Sequence, residues 1–288
     1  MKRLAIKSVL LALLVLGTLV ALFLLPVPSS DFLSAIINKR DMLKDGRHDR
    51  VVFVGGSGMI DGLDSGLVEE RLRRPVVNMG LYIGFAITPL LREIEPYLRA
   101  GDTVVLVPEY SAVFDTPDAP ARKWLLALSP ARNLPLLYRE GPDRFRSLVI
   151  DIIELLRSKL QAFPKALREA VRTSSISPLY GEGYAYFGKQ FNQYGDSLRT
   201  MRAAIPGVIE LRGKDLFADT LYSGQSFTAV NTFCRNARQR GIKVFFFFPA
   251  FPLDEYRMQE DGMRGFEARL RKELECTILG GPQEFLYP

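Results

Sequence analysis

Short apolar runs alternate with amphipathic stretches along much of the chain. Between residues 51 and 110 the runs VVFVG, PVVNMG and TVVLVPEY are separated by segments with helical spacing of apolar residues. The alternation returns after residue 225, where helical segments precede IKVFFFFPAF and CTILGG. Continuous apolar strands between amphipathic helices are typical of a parallel sheet that is covered on both faces. The predicted strands are residues 51–55, 75–79, 103–108 and 243–248, followed by a strand at CTILGG.

The first 50 residues follow a different pattern. The run VLLALLVLGTLVALFLL, from Val9 to Leu25, is long enough to cross a bilayer and follows three basic residues. PVPSSDF follows it without a clear small-x-small cleavage site, which favours an uncleaved anchor over a removed signal peptide. We therefore predict a signal anchor at residues 1–30 and a helical stalk at 31–50. The basic residues predict that everything after about residue 30 lies outside the cytoplasm.

A long insert separates the two α/β segments. In residues 111–224, DRFRSLVIDIIELLRSKLQAF has apolar residues at helical spacing. We expect this helix to pack against the sheet or another helix; the alternative is that it lies along the membrane surface. The predicted fold is therefore a three-layer α/β domain of residues 51–110 and 225–288. It has flavodoxin-like winding and a mainly helical insert, and one transmembrane helix precedes it.

Composition and charge narrow the function classes. With 48% hydrophobic and 24% charged residues, the chain can bury a substantial core, which argues against disorder. The net charge of +6 falls to +3 without the anchor, so nucleic acid is not an expected partner. Residues 121–180 carry a local charge of +6. This segment is either a solvated helical face or a surface that binds lipid head groups or an anionic polymer. Cys234 and Cys276 are read as buried thiols or one disulfide, because they show no metal-ligand spacing.

The stretch VVFVGGSGMIDG places Ser57 directly after the first predicted strand. Ligands of open parallel sheets bind beyond the carboxyl ends of the strands. The surrounding glycines allow a substrate to approach backbone N–H groups, as an oxyanion site requires. The spacing fits neither a nucleotide-binding glycine motif nor the G-x-S-x-G elbow. Three interpretations therefore stay open for Ser57: a residue of a structural turn, a catalytic serine, or part of an anion site.

Several stretches together resemble the SGNH (GDSL-type) hydrolase superfamily. They are FVGGSGMIDGLDSGLVEERL, PVVNMGLYIGFA and LRAGDTVVLVPEYS, with FNQYGDS in the insert. The similarity is to a membrane-anchored bacterial branch that acylates or deacylates cell-envelope polymers and exopolysaccharides. The resemblance implies an esterase or O-acyltransferase on the outer side of the inner membrane. Its partner would be an acylated carbohydrate or envelope polymer, and neither a cofactor nor a metal would be needed.

The resemblance also implies roles for individual residues. Ser57 matches the nucleophile, and its own N–H would help to bind the oxyanion. Gly84 or Gly80 in NMGLYIG would be the oxyanion glycine, with Asn78 shaping that loop. Where the family has an asparagine after its third strand, this chain has PEY. The further pocket residues implied in this way are Gly56, Glu109 and Tyr110.

The catalytic base is the main departure from the family, which has Asp-x-x-His near its C-terminus. His48 is the only histidine, and it lies before the strand that Ser57 follows, about 17 Å away or more. The chain stops at GGPQEFLYP, about where the family motif is expected. Of three explanations for the missing motif, we rank a truncated chain first. The alternatives are a non-catalytic relative that binds or assembles an envelope polymer, and an active variant whose base is Glu109, Asp61 or Lys189.

Overall fold

The computed structural model describes residues 2–24, 39–81, 87–110, 145–175, 191–198 and 224–287. The chain divides into two compact units. The smaller unit comprises residues 1–38 and 119–185, and the larger one comprises 39–118 and 186–288.

The elements of both units follow in chain order. The helices are α1 (Lys2–Leu24), α2 (Ser57–Gly62), α3 (Ser65–Leu72), α4 (Ile87–Ile94), α5 (Phe145–Thr173), α6 (Gly224–Gln239), α7 (Leu253–Met258) and α8 (Glu260–Glu273), with 3-10 turns at Glu95–Tyr97 and Pro282–Phe285. The strands are β1 (Val51–Gly55), β2 (Val76–Asn78), β3 (Thr103–Val107), β4 (Lys243–Phe247), β5 (Phe251–Pro252), β6 (Thr277–Leu279) and β7 (Leu286–Tyr287). Helices α1 and α5 belong to the smaller unit and the other elements to the larger one.

The larger unit is built on a five-stranded parallel sheet in the order β2–β1–β3–β4–β6. Val51 pairs with Val76 on one side and with Thr103 on the other, so β1 and β3 form the centre. Consecutive residues of β2 and β3 are buried, and successive strand side chains point to opposite faces. Both faces of the central sheet are therefore covered. The α/β class with a parallel sheet is confirmed, and the strand order is that of flavodoxin-like winding.

A buried ion pair joins the amino ends of β1 and β3. The guanidinium of Arg50 donates to both carboxylate oxygens of Asp102, at 3.2 and 2.7 Å, and both side chains are fully buried. The remaining Arg50 donors reach the carbonyls of Leu43 and Tyr97. The segment before β1 is thus part of the larger unit from residue 39 onward. The first part of the predicted stalk, residues 31–38, lies outside the described residues.

The smaller unit contains α1 and the long helix α5. By length and composition α1 is able to cross a membrane, with a mean hydropathy of 2.5 in the most apolar 18-residue window of Arg3–Phe23. Helix α5 covers most of the stretch for which helical spacing is predicted and contains Pro164. Lys159 is buried and donates to the main-chain carbonyl of Phe23, 2.6 Å away, at the end of α1. The predicted insert also includes residues 111–144, 176–190 and 199–223, which lie outside the described residues.

Candidate functional site

The candidate site lies at the carboxyl edge of the sheet, where β1 and β3 end side by side. After β1 the chain turns toward β2, whereas after β3 it continues toward β4 on the opposite side. Loops diverge at such a switch point and leave a crevice, in which ligands of doubly wound sheets bind. Ser57 is the first residue of α2 and follows β1 after Gly56 alone. Ser57, the candidate nucleophile, therefore lies at this switch point.

Glu109 contacts the turn between β1 and α2. Its Oε1 accepts a long hydrogen bond from the Gly58 N–H, at 3.4 Å. A Cβ added to Gly56 would lie 2.4 Å from that oxygen, closer than real side chains approach. A Cβ on Gly55 would lie 2.3 Å from the Val107 carbonyl oxygen. The glycines of the turn thus allow β3 and the segment after it to approach the main chain closely.

Asn78 holds the loop that follows β2. Its Oδ1 accepts from the Gly80 N–H at 2.8 Å, and its Nδ2 donates to the Met59 carbonyl at 2.7 Å. The same Nδ2 donates to the buried carboxylate of Asp196 at 2.8 Å. Asn78 therefore connects the β2 loop both to α2 and to the FNQYGDS segment.

Asp196 is the centre of this buried hydrogen-bond network. Besides Asn78, its carboxylate accepts from the Ser65 hydroxyl at 2.5 Å, the Ser65 N–H at 3.0 Å and the Asn192 amide at 3.1 Å. Asp196 is fully buried, and a buried charge is tolerated only when several donors satisfy it. FNQYGDS thus anchors the segments that flank the candidate site.

Lys39 is buried beside this network. Its ammonium donates to the Gly80 carbonyl at 2.6 Å and lies 4.9 Å from the centre of the Phe191 ring. Burial lowers the pKa of Lys39 to about 7, while the charges of Asp196 and Asp61 partly oppose that shift. A lysine donor therefore holds the Gly80 peptide from one side, and Asn78 holds it from the other.

The remaining predicted pocket residues are placed differently. The Gly80 N–H points to Asn78, and Gly84 lies outside the described residues. Tyr110 is buried, with its hydroxyl donating to the Pro249 carbonyl at 3.3 Å and its ring packed against Phe251 and Phe266. Burial raises the pKa of the Tyr110 hydroxyl. Glu109 therefore faces the Ser57 turn, whereas Tyr110 belongs to the adjacent core.

The candidate bases differ in their positions. His48 is exposed and precedes β1, at the end of the strand opposite Ser57. Asp61 is exposed on α2, and Lys189 lies outside the described residues. Among the residues the structure describes, no cluster of three His, Cys, Asp or Glu side chains is able to hold a metal ion.

The two cysteines form a disulfide, which decides between the two interpretations of the sequence. Cys234 on α6 is bonded to Cys276 just before β6, with the Cα atoms 5.8 Å apart. Both are buried beside a cavity of about 190 Å³ that Arg238 and Lys243 also line. The bond ties α6 to the edge strand of the sheet.

No protein-family model matches this chain, and a search of curated proteins finds no significant match. The SGNH resemblance therefore depends on the residues quoted above. Sequence reasoning did not identify Lys39, Ser65 or Asp196 as part of the candidate site's framework. The one available signal was FNQYGDS, which combines turn-forming residues with one carboxylate in an otherwise aromatic-rich stretch.

Proposed function

We propose that the larger unit is the SGNH-like domain of an envelope-facing esterase or O-acyltransferase, with Ser57 as the nucleophile. The observation that carries this proposal is the position of Ser57 at the start of α2, at the switch point between β1 and β3. A nucleophile at this point has access to the crevice in which ligands of such sheets bind. The polymer substrate is suggested by the sequence resemblance.

The reaction would use Ser57 in two steps. Its hydroxyl attacks the acyl carbon of an ester while a base takes the proton, and the alcohol leaves with a proton returned by that base. Water or a second sugar hydroxyl then takes the acyl group from the serine. The main-chain N–H of Ser57, together with that of Gly84, which the resemblance implies, would stabilise the oxyanion. Gly80 would shape the loop instead, because its N–H already donates to Asn78 and its carbonyl accepts from Lys39.

The proposed location is the inner membrane, with the larger unit on its outer side. The apolar helix α1 supports anchoring. The Cys234–Cys276 disulfide supports export, since such bonds persist mainly in oxidising compartments. A topology reporter fused after residue 288 should be active only outside the cytoplasm, and activity inside would contradict this location.

A second candidate function is a non-catalytic, membrane-anchored protein that binds or assembles an envelope carbohydrate. The contact between Glu109 and the Gly58 N–H favours it, because a carboxylate already uses a donor of the turn. His48 precedes β1, at the end of the strand opposite Ser57, so it is not the base for Ser57.

Covalent labelling with a fluorophosphonate distinguishes the two functions. We expect the 288-residue chain to stay unlabelled at neutral pH, because a serine hydroxyl reacts slowly without a base within hydrogen-bond reach. A version extended through an Asp-x-x-His segment should label at Ser57 and lose the label in Ser57→Ala. Thermal unfolding of Ser57→Ala controls for misfolding. An extended chain that folds but does not label would favour the binding protein.

A further inference from the structure

One face of α5 is apolar but exposed. Val149, Ile153, Leu160, Leu167 and Val171 are between 37% and 73% exposed, and we call this set the α5 stripe. Their spacing of four and seven residues places them along one side of the helix. Helix α5 buries a different side, formed by Leu155, Lys159, Ala162, Ala166 and Ala170. The helix thus has one apolar face that packs inside the protein and a second that faces outward.

The contact with α1 shows at which end of the proposed membrane anchor α5 lies. Residues 3–21 of α1 are exposed, whereas Leu22 is buried and Phe23 is half-buried. Lys159, in the middle of α5, donates to the Phe23 carbonyl. Contact with α5 is therefore at the end of α1 and not along its length. A helix of 23 residues is about 34 Å long, similar to the hydrocarbon thickness, so its end lies near the interface.

The charges of α5 also suit an interfacial position. The helix contains six Lys/Arg and three Asp/Glu residues, a net charge of +3, which is incompatible with crossing the membrane. Arg157, Lys165, Arg168 and Arg172 are exposed along its polar side. Helices with an apolar face and a basic polar face lie in the plane of the membrane, with the apolar side chains about 5–10 Å into the head-group boundary.

We propose that the α5 stripe docks on the outer surface of the membrane that α1 crosses, and that the occupant of this face is lipid. The inference rests on the proposed anchoring by α1. A second copy of the chain is the competing occupant, since the spacing of the stripe also resembles a coiled-coil seam. Pro164 inside α5 argues against it, because an internal proline bends a helix and interrupts a continuous seam.

The test uses single-cysteine variants of the full chain in vesicles of phosphatidylcholine and phosphatidylglycerol. Both native cysteines are in the disulfide, so an introduced thiol is labelled selectively with an environment-sensitive fluorophore. Ile153→Cys and Leu160→Cys report on the stripe. Gln161→Cys, an exposed neighbour outside the stripe, is the matched control, and Leu13→Cys reports on the middle of α1. Nitroxide lipids carry the quencher either near the head group or near the chain end.

We expect the probes at residues 153 and 160 to emit at shorter wavelength than the probe at 161. The shallow quencher should reduce their emission several-fold more than that of the probe at 161. The deep quencher should act mainly at residue 13. Quenching at 13 together with equal, weak quenching at 153, 160 and 161 would overturn the proposal and leave the anchor intact. Absence of quenching at 13 would overturn the anchor and this inference with it. Energy transfer between differently labelled residue-153 probes, without lipid quenching, would assign the stripe to a second copy.

Discussion

The Glu109 carboxylate lies directly against the main chain of Gly56, although the two residues are 53 positions apart in the sequence. A Cβ at residue 56 would lie 2.4 Å from both Cδ and Oε1 of Glu109. The same carboxylate accepts from the Gly58 N–H. The pairing of β1 with β3 brings the two residues together, because Gly55 is in register with Val107. The glycine at position 56 therefore leaves room for the carboxylate that follows β3 to lie against the main chain.

Alanine substitutions at the two neighbouring glycines should have unequal effects on stability. In Gly56→Ala the methyl group meets the flexible end of Glu109, which can rotate away, so we expect a loss of about 1 kcal/mol or less. In Gly55→Ala the methyl group meets the Val107 carbonyl oxygen in the sheet, which cannot move independently. That variant should lose about 3 kcal/mol or more. Urea unfolding of each variant measures the difference.

Gly58→Ala is the matched control, because an added Cβ at residue 58 has no neighbour within 4 Å. It should be neutral or gain up to about 1 kcal/mol, since alanine favours helix more than glycine does. Equal losses in Gly55→Ala and Gly56→Ala would mean that Glu109 is not free to leave the turn.

Lys39 predicts a pH dependence of stability. Its pKa is about 7 in the folded chain because of burial, compared with about 10.4 for an unfolded lysine. Between these values the unfolded state binds one more proton, so the free energy of unfolding should rise with pH. This slope is about 1.4 kcal/mol per pH unit above about pH 7. Below about pH 7 both states bind the proton, so the slope is absent. Unfolding by urea at about pH 7 and about pH 9 tests the slope.

Lys39→Met should remove this slope, whatever its effect on stability at one pH. Lys44→Met is the control, since Lys44 is exposed and pairs with Asp41. It should retain the slope of the native chain. If Lys39→Met and the native chain show the same rise, Lys39 keeps its charge in the folded state and the buried contact with Gly80 is not sensitive to pH.

The disulfide should contribute substantially to the stability of the larger unit. Cys234 and Cys276 are 42 residues apart, and the loop-entropy relation gives about 4 kcal/mol for closing a loop of that size. Replacing both cysteines by alanine should lower the free energy of unfolding by about 2–4 kcal/mol, as judged by urea midpoints. Reductant should shift the native midpoint in the same direction and leave the double variant unchanged. An unchanged midpoint in the native chain would show that the bond adds no stability.

Local patterns predict the central strands because their apolar runs are continuous. All five predicted strands belong to one parallel sheet, and Ser57 occupies the expected edge. The buried hydrogen-bond network beside that edge cannot be predicted from local patterns. Asn78 and Asp196 are 118 residues apart, and the hydrogen bond between them depends on how a segment beyond α5 returns to the sheet.

Lys39 illustrates a second limit of the sequence. In a polar segment before the first strand it suggests an exposed stalk residue, because lysine is rarely buried. Its burial depends on three partners distant in sequence: the Gly80 carbonyl, the Phe191 ring and the charge of Asp196. No local pattern encodes such a set. The disulfide likewise required the position of α6 relative to β6, which two isolated cysteines do not specify.

Glu109 has two possible roles at the Ser57 turn, and they give opposite results in Glu109→Gln. If Glu109 only lies beside the turn, its negative charge opposes the oxyanion that forms when Ser57 attacks the phosphorus of the fluorophosphonate and displaces fluoride. The neutral glutamine should then raise the labelling rate of the extended chain by about tenfold. If Glu109 is instead the base for Ser57, the 288-residue chain itself should label, and glutamine should reduce that rate by about a hundredfold or more.

The second-order rate of labelling at neutral pH decides between the two roles of Glu109. Glu70→Gln on the exposed side of α3 is the matched control and should leave the rate unchanged. We expect the increase, because the carboxylate already accepts the Gly58 N–H and so competes for a donor of the turn.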